Sequence, residues 1–187
     1  MIRLLIGFML CQSTDILFAE IRFVDHTNSA AVISNCTANG GAFGDYNEDG
    51  MPDLFIACLD RDMGSKLFEN RGDGTFENRS ALVKDVGAAM GGLFVDIDQD
   101  GDRDLYAIRF NRRNIWLING EEELQPLPDS LLSRGYAGAT SVSIADFDHD
   151  GFLDLFSIYR YSNPNELLLR PTVAGFNSQP ETQSVLS

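Results

Sequence analysis

Three stretches of the chain carry the same order of apolar and polar positions. They align without a gap: AFGDYNEDGMPDLFIA from Ala42, LFVDIDQDGDRDLYAI from Leu93 and SIADFDHDGFLDLFSI from Ser143. In each, apolar residues lead into a nine-residue acidic loop and a largely apolar run leaves it. The leaving runs, Leu54 to Leu59, Leu105 to Ile108 and Leu155 to Ile158, are short, rich in Phe, Tyr and Ile, and bounded by turn residues. Those are the marks of strands rather than helices. The runs do not alternate apolar with polar, so both faces of each strand need cover. The loops open at Asp45, Asp96 and Asp146, which stand 51 and 50 residues apart. Units of that length in series cover one another, as the blades of a propeller do.

A second hairpin completes the unit. Lys66 to Asn70 leads through Arg71-Gly72-Asp73-Gly74 into Thr75-Phe76-Glu77, and the two glycines supply the positive φ angles of a tight turn. The second unit repeats this as Ile115 to Ile118, a turn at Asn119-Gly120, and Leu124; the third as Leu167 to Leu169 and then Phe176. The pattern predicts an all-β chain of about three four-stranded antiparallel β-propeller blades over residues 20–176, a partial propeller. Residues 177–187, polar and containing Pro180, read as a loose tail.

Composition adds a compartment and excludes some partners. The chain carries 14 basic and 28 acidic residues, a formal charge of -14. Such a protein repels nucleic acid and anionic membrane and attracts cations. Arg3, the apolar run Leu4 to Leu10 and the polar Gln12-Ser13-Thr14-Asp15 have the layout of a secretory signal peptide over residues 1–19, with cleavage after Ser13 or Ala19. The run is too short to span a bilayer, so the expectation is a secreted or cell-surface protein with no membrane insertion. Beyond the signal segment only Cys36 and Cys58 remain, either paired in an oxidising compartment or serving as small core residues. Asn35-Cys36-Thr37 and Asn78-Arg79-Ser80 are N-glycosylation sequons, which matter only in a eukaryotic secretory pathway.

The acids are concentrated in the loops. With the first aspartate as position one, acidic or amide side chains fall at one, three, five and nine, and glycine at six. Loop one gives Asp45, Asn47, Asp49 and Asp53; loop two gives Asp96, Asp98, Asp100 and Asp104; loop three gives Asp146, Asp148, Asp150 and Asp154. Position seven is Met51, Asp102 or Phe152, a variation that suits a ligand supplied by the backbone carbonyl, with the Asp102 side chain facing water. All these ligands are hard oxygens, which select calcium over zinc or copper, and their number favours calcium over magnesium. An EF-hand would need Glu at position twelve between helices, and Ile56, Ala107 and Ser157 stand there between strands. Two carboxylates 4 Å apart repel by about 4 kcal/mol at an effective dielectric near 20, so each loop needs a cation or protons to stay closed.

These loops resemble those of the FG-GAP or VCBS repeat family, which includes the propellers of integrin α-subunits. More narrowly, Ile21-Arg22-Phe23-Val24-Asp25-His26-Thr27 and the turn Asn70-Arg71-Gly72-Asp73-Gly74-Thr75-Phe76 look like segments of the group of cartilage acidic protein and its bacterial ASPIC/UnbV-type relatives. The resemblance covers roughly Ile21 to Phe176. It implies calcium ligands in the three loops, on the inner hairpins of successive blades, and a role in extracellular recognition or adhesion rather than catalysis. Family propellers typically have seven blades. Three are visible, and the ASPIC/UnbV-type region is absent, so the expectation is a truncated product or a module completed by a partner.

Other functions have less support. The chain has two histidines, and His149, at loop position four, reads as a surface residue rather than an acid or base, so no enzyme is expected. The alternative is a calcium-dependent carbohydrate-binding module, or an accessory domain of a polysaccharide-degrading enzyme. It would need Trp116, Tyr159 or Tyr161 exposed to stack on sugars, and Trp116 reads better as core. Arg71-Gly72-Asp73 spells an integrin-ligand tripeptide, but turn chemistry already accounts for it. The expected partner is an extracellular protein or glycan. Three blades also leave two apolar end faces uncovered, which predicts self-association.

Overall fold

Each acidic loop joins two antiparallel strands, and each pair is extended outward by a second hairpin. The computed structural model describes residues 23–26, 35–120, 123–127, 138–160, 164–170 and 182–183. Residues 1–19, read above as a signal peptide, and Tyr161 and Phe176 lie outside them. The first sheet runs in the order β1 (Ala38–Gly44), β2 (Asp53–Cys58), β3 (Lys66–Asn70) and β4 (Phe76–Asn78). The second repeats it with β5 (Ala89–Val95), β6 (Asp104–Arg109), β7 (Ile115–Ile118) and β8 (Gln125–Pro126), and the third with β9 (Ala139–Ala145), β10 (Asp154–Tyr159), β11 (Glu166–Leu168) and β12 (Thr182–Gln183). Every pairing is antiparallel. These are three four-stranded blades of the propeller type. Among the described residues the one helical element is a short 3-10 turn, Ser80–Val83, and no helix is long and apolar enough to cross a membrane.

Register repeats from blade to blade. Phe43 opposes Leu54, Phe94 opposes Leu105, and Ile144 opposes Leu155. The third blade differs from the expectation at its edge. Its fourth strand is Thr182–Gln183, paired with Leu168 and Leu167, within the stretch read as a loose tail. A two-residue polar strand has no apolar alternation to announce it.

At the two junctions between blades the apolar strand faces find the cover they need. One core joins blades one and two, with Phe55, Ala57 and Leu67 against Leu105, Ala107 and Leu117. A second joins blades two and three, with Tyr106, Ile108 and Trp116 against Leu155, Tyr159 and Leu168. β6, in the middle blade, is buried along all but its last residue. The first strands of neighbouring blades approach closely. A Cβ on Gly44 would lie 2.4 Å from the Phe94 side chain, and one on Gly40 would lie 2.8 Å from the Met90 carbonyl. Any larger residue at Gly44 would push the junction apart.

Cys36 and Cys58 are joined in a disulfide, with Cα atoms 5.7 Å apart and a sequence separation of 22. That settles the alternative left open by the sequence and fits an oxidising compartment. Closing a loop of this length removes unfolded-chain entropy worth about 3 kcal/mol. Cys36→Ser is therefore expected to lower the unfolding free energy by about that amount in urea titrations. A loss below about 1 kcal/mol would mean that the unfolded chain is already constrained there.

Candidate metal centres

The loop geometry begins with backbone that only a few residues tolerate. Position four is left-handed in all three loops, at Glu48 (φ 56), Gln99 (φ 64) and His149 (φ 60), and so is position six, at Gly50 (φ 84), Gly101 (φ 110) and Gly151 (φ 90). Glycine adopts this at no cost, whereas the residue at position four carries strain. The two reversals fold the loop back so that its amides point inward. Asp45 accepts from Asp49 N and Gly50 N at 3.2 and 2.9 Å, and Asp146 accepts from Asp150 N and Gly151 N at 3.1 Å each. Position five accepts from the amide of position seven, at 2.8 Å for Asp49, 3.2 Å for Asp100 and 2.9 Å for Asp150. His149 itself is exposed.

Position nine does something the sequence did not suggest. Asp53, Asp104 and Asp154 are buried, and each accepts two backbone N–H bonds from separate segments. Asp53 binds Tyr46 N (3.1 Å) and Asn70 N (2.8 Å). Asp104 binds Ile97 N (2.9 Å) and Asn119 N (2.8 Å). Asp154 binds Phe147 N and Arg170 N, both at 2.8 Å. One carboxylate thus clamps position two of its loop to the end of the third strand. The side chains of two of those strand-end residues reach further. Asn119 donates to the Tyr46 carbonyl and Arg170 to the Ile97 carbonyl, so each binds position two of the preceding loop.

The carboxylates converge. In loop two, oxygens of Asp96, Asp98 and Asp104 all lie within 4.8 Å of one another, and in loop three so do those of Asp146, Asp148 and Asp154. Asp100 and Asp150 lie outside these two groups. Loop one has the amide of Asn47 at position three, and that amide donates to Asp49 at 3.3 Å. In loop two Asp96 Oδ1, Asp98 Oδ1 and Asp102 Oδ1 are buried with no hydrogen-bond partner. Buried anionic oxygens without donors require a cation or protons. The charge shows in the pKa directions. Burial, then the neighbouring carboxylates, push Asp104 up to about 6 against its two amide donors, and Asp98 is raised by burial and by Asp100.

Position seven departs from expectation in loop two. The Asp102 side chain is half-buried rather than solvated. Its Oδ1 is buried, and burial followed by the charges of Asp100 and Asp104 pushes its pKa up to about 6. Met51 is exposed instead, while Phe152 lies under the Arg170 guanidinium, 4.7 Å from its carbon to the ring centroid. The expectation of a solvated side chain at position seven is not met at Asp102, one of whose oxygens is buried. The aromatic residues considered for sugar stacking are also placed: Trp116 is fully buried and Tyr159 nearly so.

The loops and strands together match a family model described as an FG-GAP-like repeat, over residues 45–107 and again over 96–157. The chain belongs to the FG-GAP-like repeat family. Each match starts on the first aspartate of one loop and runs through the next loop into its following strand, so the FG-GAP repeats cover all three candidate centres. No curated protein matches the chain. The hard-oxygen donors and the unpartnered oxygens of loop two fit calcium, which would be held by positions one, three, five and nine, joined in loop two by Asp102.

Proposed function

We propose that this is a secreted calcium-binding FG-GAP repeat protein acting in extracellular recognition or adhesion, and not an enzyme. The observation that carries the calcium reading is the set of three buried carboxylate oxygens in loop two that have no donor. Calcium would supply the positive charge they lack and fix the loop. The chain's own part is to hold the oxygens: the turn amides orient positions one and five, and the buried position-nine carboxylate ties the loop to the strand behind it. Export is supported by the Cys36–Cys58 disulfide and by the signal-like N-terminus. The finer likeness to the cartilage acidic protein group rests on the Asn70 to Phe76 turn, where Gly72 (φ 71) and Gly74 (φ 87) are left-handed. An extracellular protein is favoured over a glycan as partner, since burial of Trp116 and Tyr159 leaves them no face for a sugar.

Calorimetric calcium titration of wild type, Asp100→Ala and Asp102→Ala tests the ligand set. Both substitutions are expected to weaken the second site at least about tenfold, a loss of about 1.4 kcal/mol. Removing a solvated neighbouring charge would cost less than that. An absence of calcium-binding heat in wild type would sink the calcium reading. A normal second site in Asp102→Ala would restore the backbone carbonyl as the position-seven ligand.

A further inference from the structure

Each blade has a face toward the preceding blade and a face toward the following one, and register shows which residue serves which. On the following face, the position-two residue is Tyr46 in blade one and Ile97 in blade two, 9% and 2% exposed, and both lie in the inter-blade cores. The equivalent in blade three is Phe147, 65% exposed. Ala57 and Ile108 are buried in the same cores, whereas their equivalent, Ile158, is 39% exposed. The preceding face shows the same contrast in reverse. Phe94 and Ile144 pack against the cores, and their equivalent in blade one, Phe43, is 66% exposed.

The two open faces are therefore the two halves of one interface that the chain already makes twice. Its polar straps have their halves too. Across both junctions a strand-end side chain, Asn119 or Arg170, donates to the position-two carbonyl of the blade before it. The remaining strand-end residue is Asn70, half-buried on blade one; one N–H of its amide donates to Pro52 O at 3.0 Å, and the amide group carries a second N–H. The remaining position-two carbonyl is that of Phe147, on blade three. A surface that carries both complementary halves on one chain associates head to tail with itself.

We infer that a second copy of this chain covers these faces, the Phe147 side of blade three on one copy seating against the Phe43 side of blade one on the other. The contact continues the internal blade-to-blade packing, with Phe147 buried as Tyr46 and Ile97 are, and Asn70 reaching the Phe147 carbonyl of its neighbour. This association rests on the blade packing and not on the calcium reading.

Sedimentation of the full chain in calcium at physiological salt, with Phe43→Ser and Phe147→Ser, tests it. Wild type is expected to sediment at twice the chain mass or more. Each variant alone is expected to be a monomer, since every contact it makes has one damaged half. An equimolar mixture of the two variants is expected to recover a dimer, through the intact blade three of one and the intact blade one of the other. A monomeric wild type overturns the inference. So does a variant that still associates alone, which would mean like faces pair, and so does a mixture that fails to recover. Emission from Trp116, the single tryptophan and fully buried, reports whether each variant is folded. If Phe147→Ser loses that emission, Ile158→Asp damages the same face and the same outcomes decide.

Discussion

Asp154→Ala is expected to destabilise the metal-free protein by about 3 kcal/mol, while Asp148→Ala in the same loop leaves its stability nearly unchanged. Both remove one carboxylate from the same convergent group, so an account in which these residues serve only a metal predicts equal effects in chelator. The structure separates them. Asp154 is buried and accepts from Phe147 N and Arg170 N, each at 2.8 Å. Its loss orphans two backbone donors, at about 1–3 kcal/mol each when buried. It also frees Arg170, whose guanidinium ties the third blade to the Ile97 carbonyl of the second. Asp148 is exposed, and its Oδ1 accepts a single loop amide at 3.2 Å. Losing it also relieves repulsion from Asp150 and Asp154, which, after burial, is what raises its pKa. Urea titrations in chelator measure the difference. Equal losses would show that the two amide bonds to position nine carry no stability of their own.

This double duty marks the limit of what the sequence discloses. The loops were legible because their chemistry is local: aspartates at alternate positions and a glycine at the turn signal themselves within nine residues. The blades were legible because the strands between loops are apolar on both faces. The clamp was not. Its partners, Asn70, Asn119 and Arg170, lie 17, 15 and 16 residues beyond the aspartate they bind. They contribute backbone amides, which leave no signature in side-chain identity. A faint signal existed, since Asn70 ends the third strand of its blade and Asn119 and Arg170 lie just beyond the ends of theirs.

The half-buried Asp102 side chain was hidden for a different reason. The varied chemistry of position seven, Met51, Asp102 or Phe152, suits a backbone ligand with its side chain in water, yet one oxygen of Asp102 is buried. The disulfide was undecided because pairing of two cysteines depends on register. Once Ala38 opposes Cys58 in β1 and β2, Cys36 lies beside Cys58, and that follows only from the fold. Burial of position two was the other omission. Tyr46, Ile97 and Phe147 look like loop residues in the sequence, and the first two become core only when the next blade packs on them.

The central claim is that these acidic loops are calcium sites that the fold depends on. Thermal unfolding in saturating calcium, against chelator at matched ionic strength, tests it most directly. Carboxylates 4 Å apart repel by about 4 kcal/mol at an effective dielectric near 20, and a bound ion removes that penalty. At free calcium one hundred times its dissociation constant, each occupied loop adds about 2.7 kcal/mol. For a chain of this size one such increment raises the midpoint by at least about 5 °C, and sodium at the same ionic strength should give only a small part of it. A rise of that size specific to calcium is the predicted result. Equal midpoints in calcium and chelator would contradict the account and leave the loops as acidic turns.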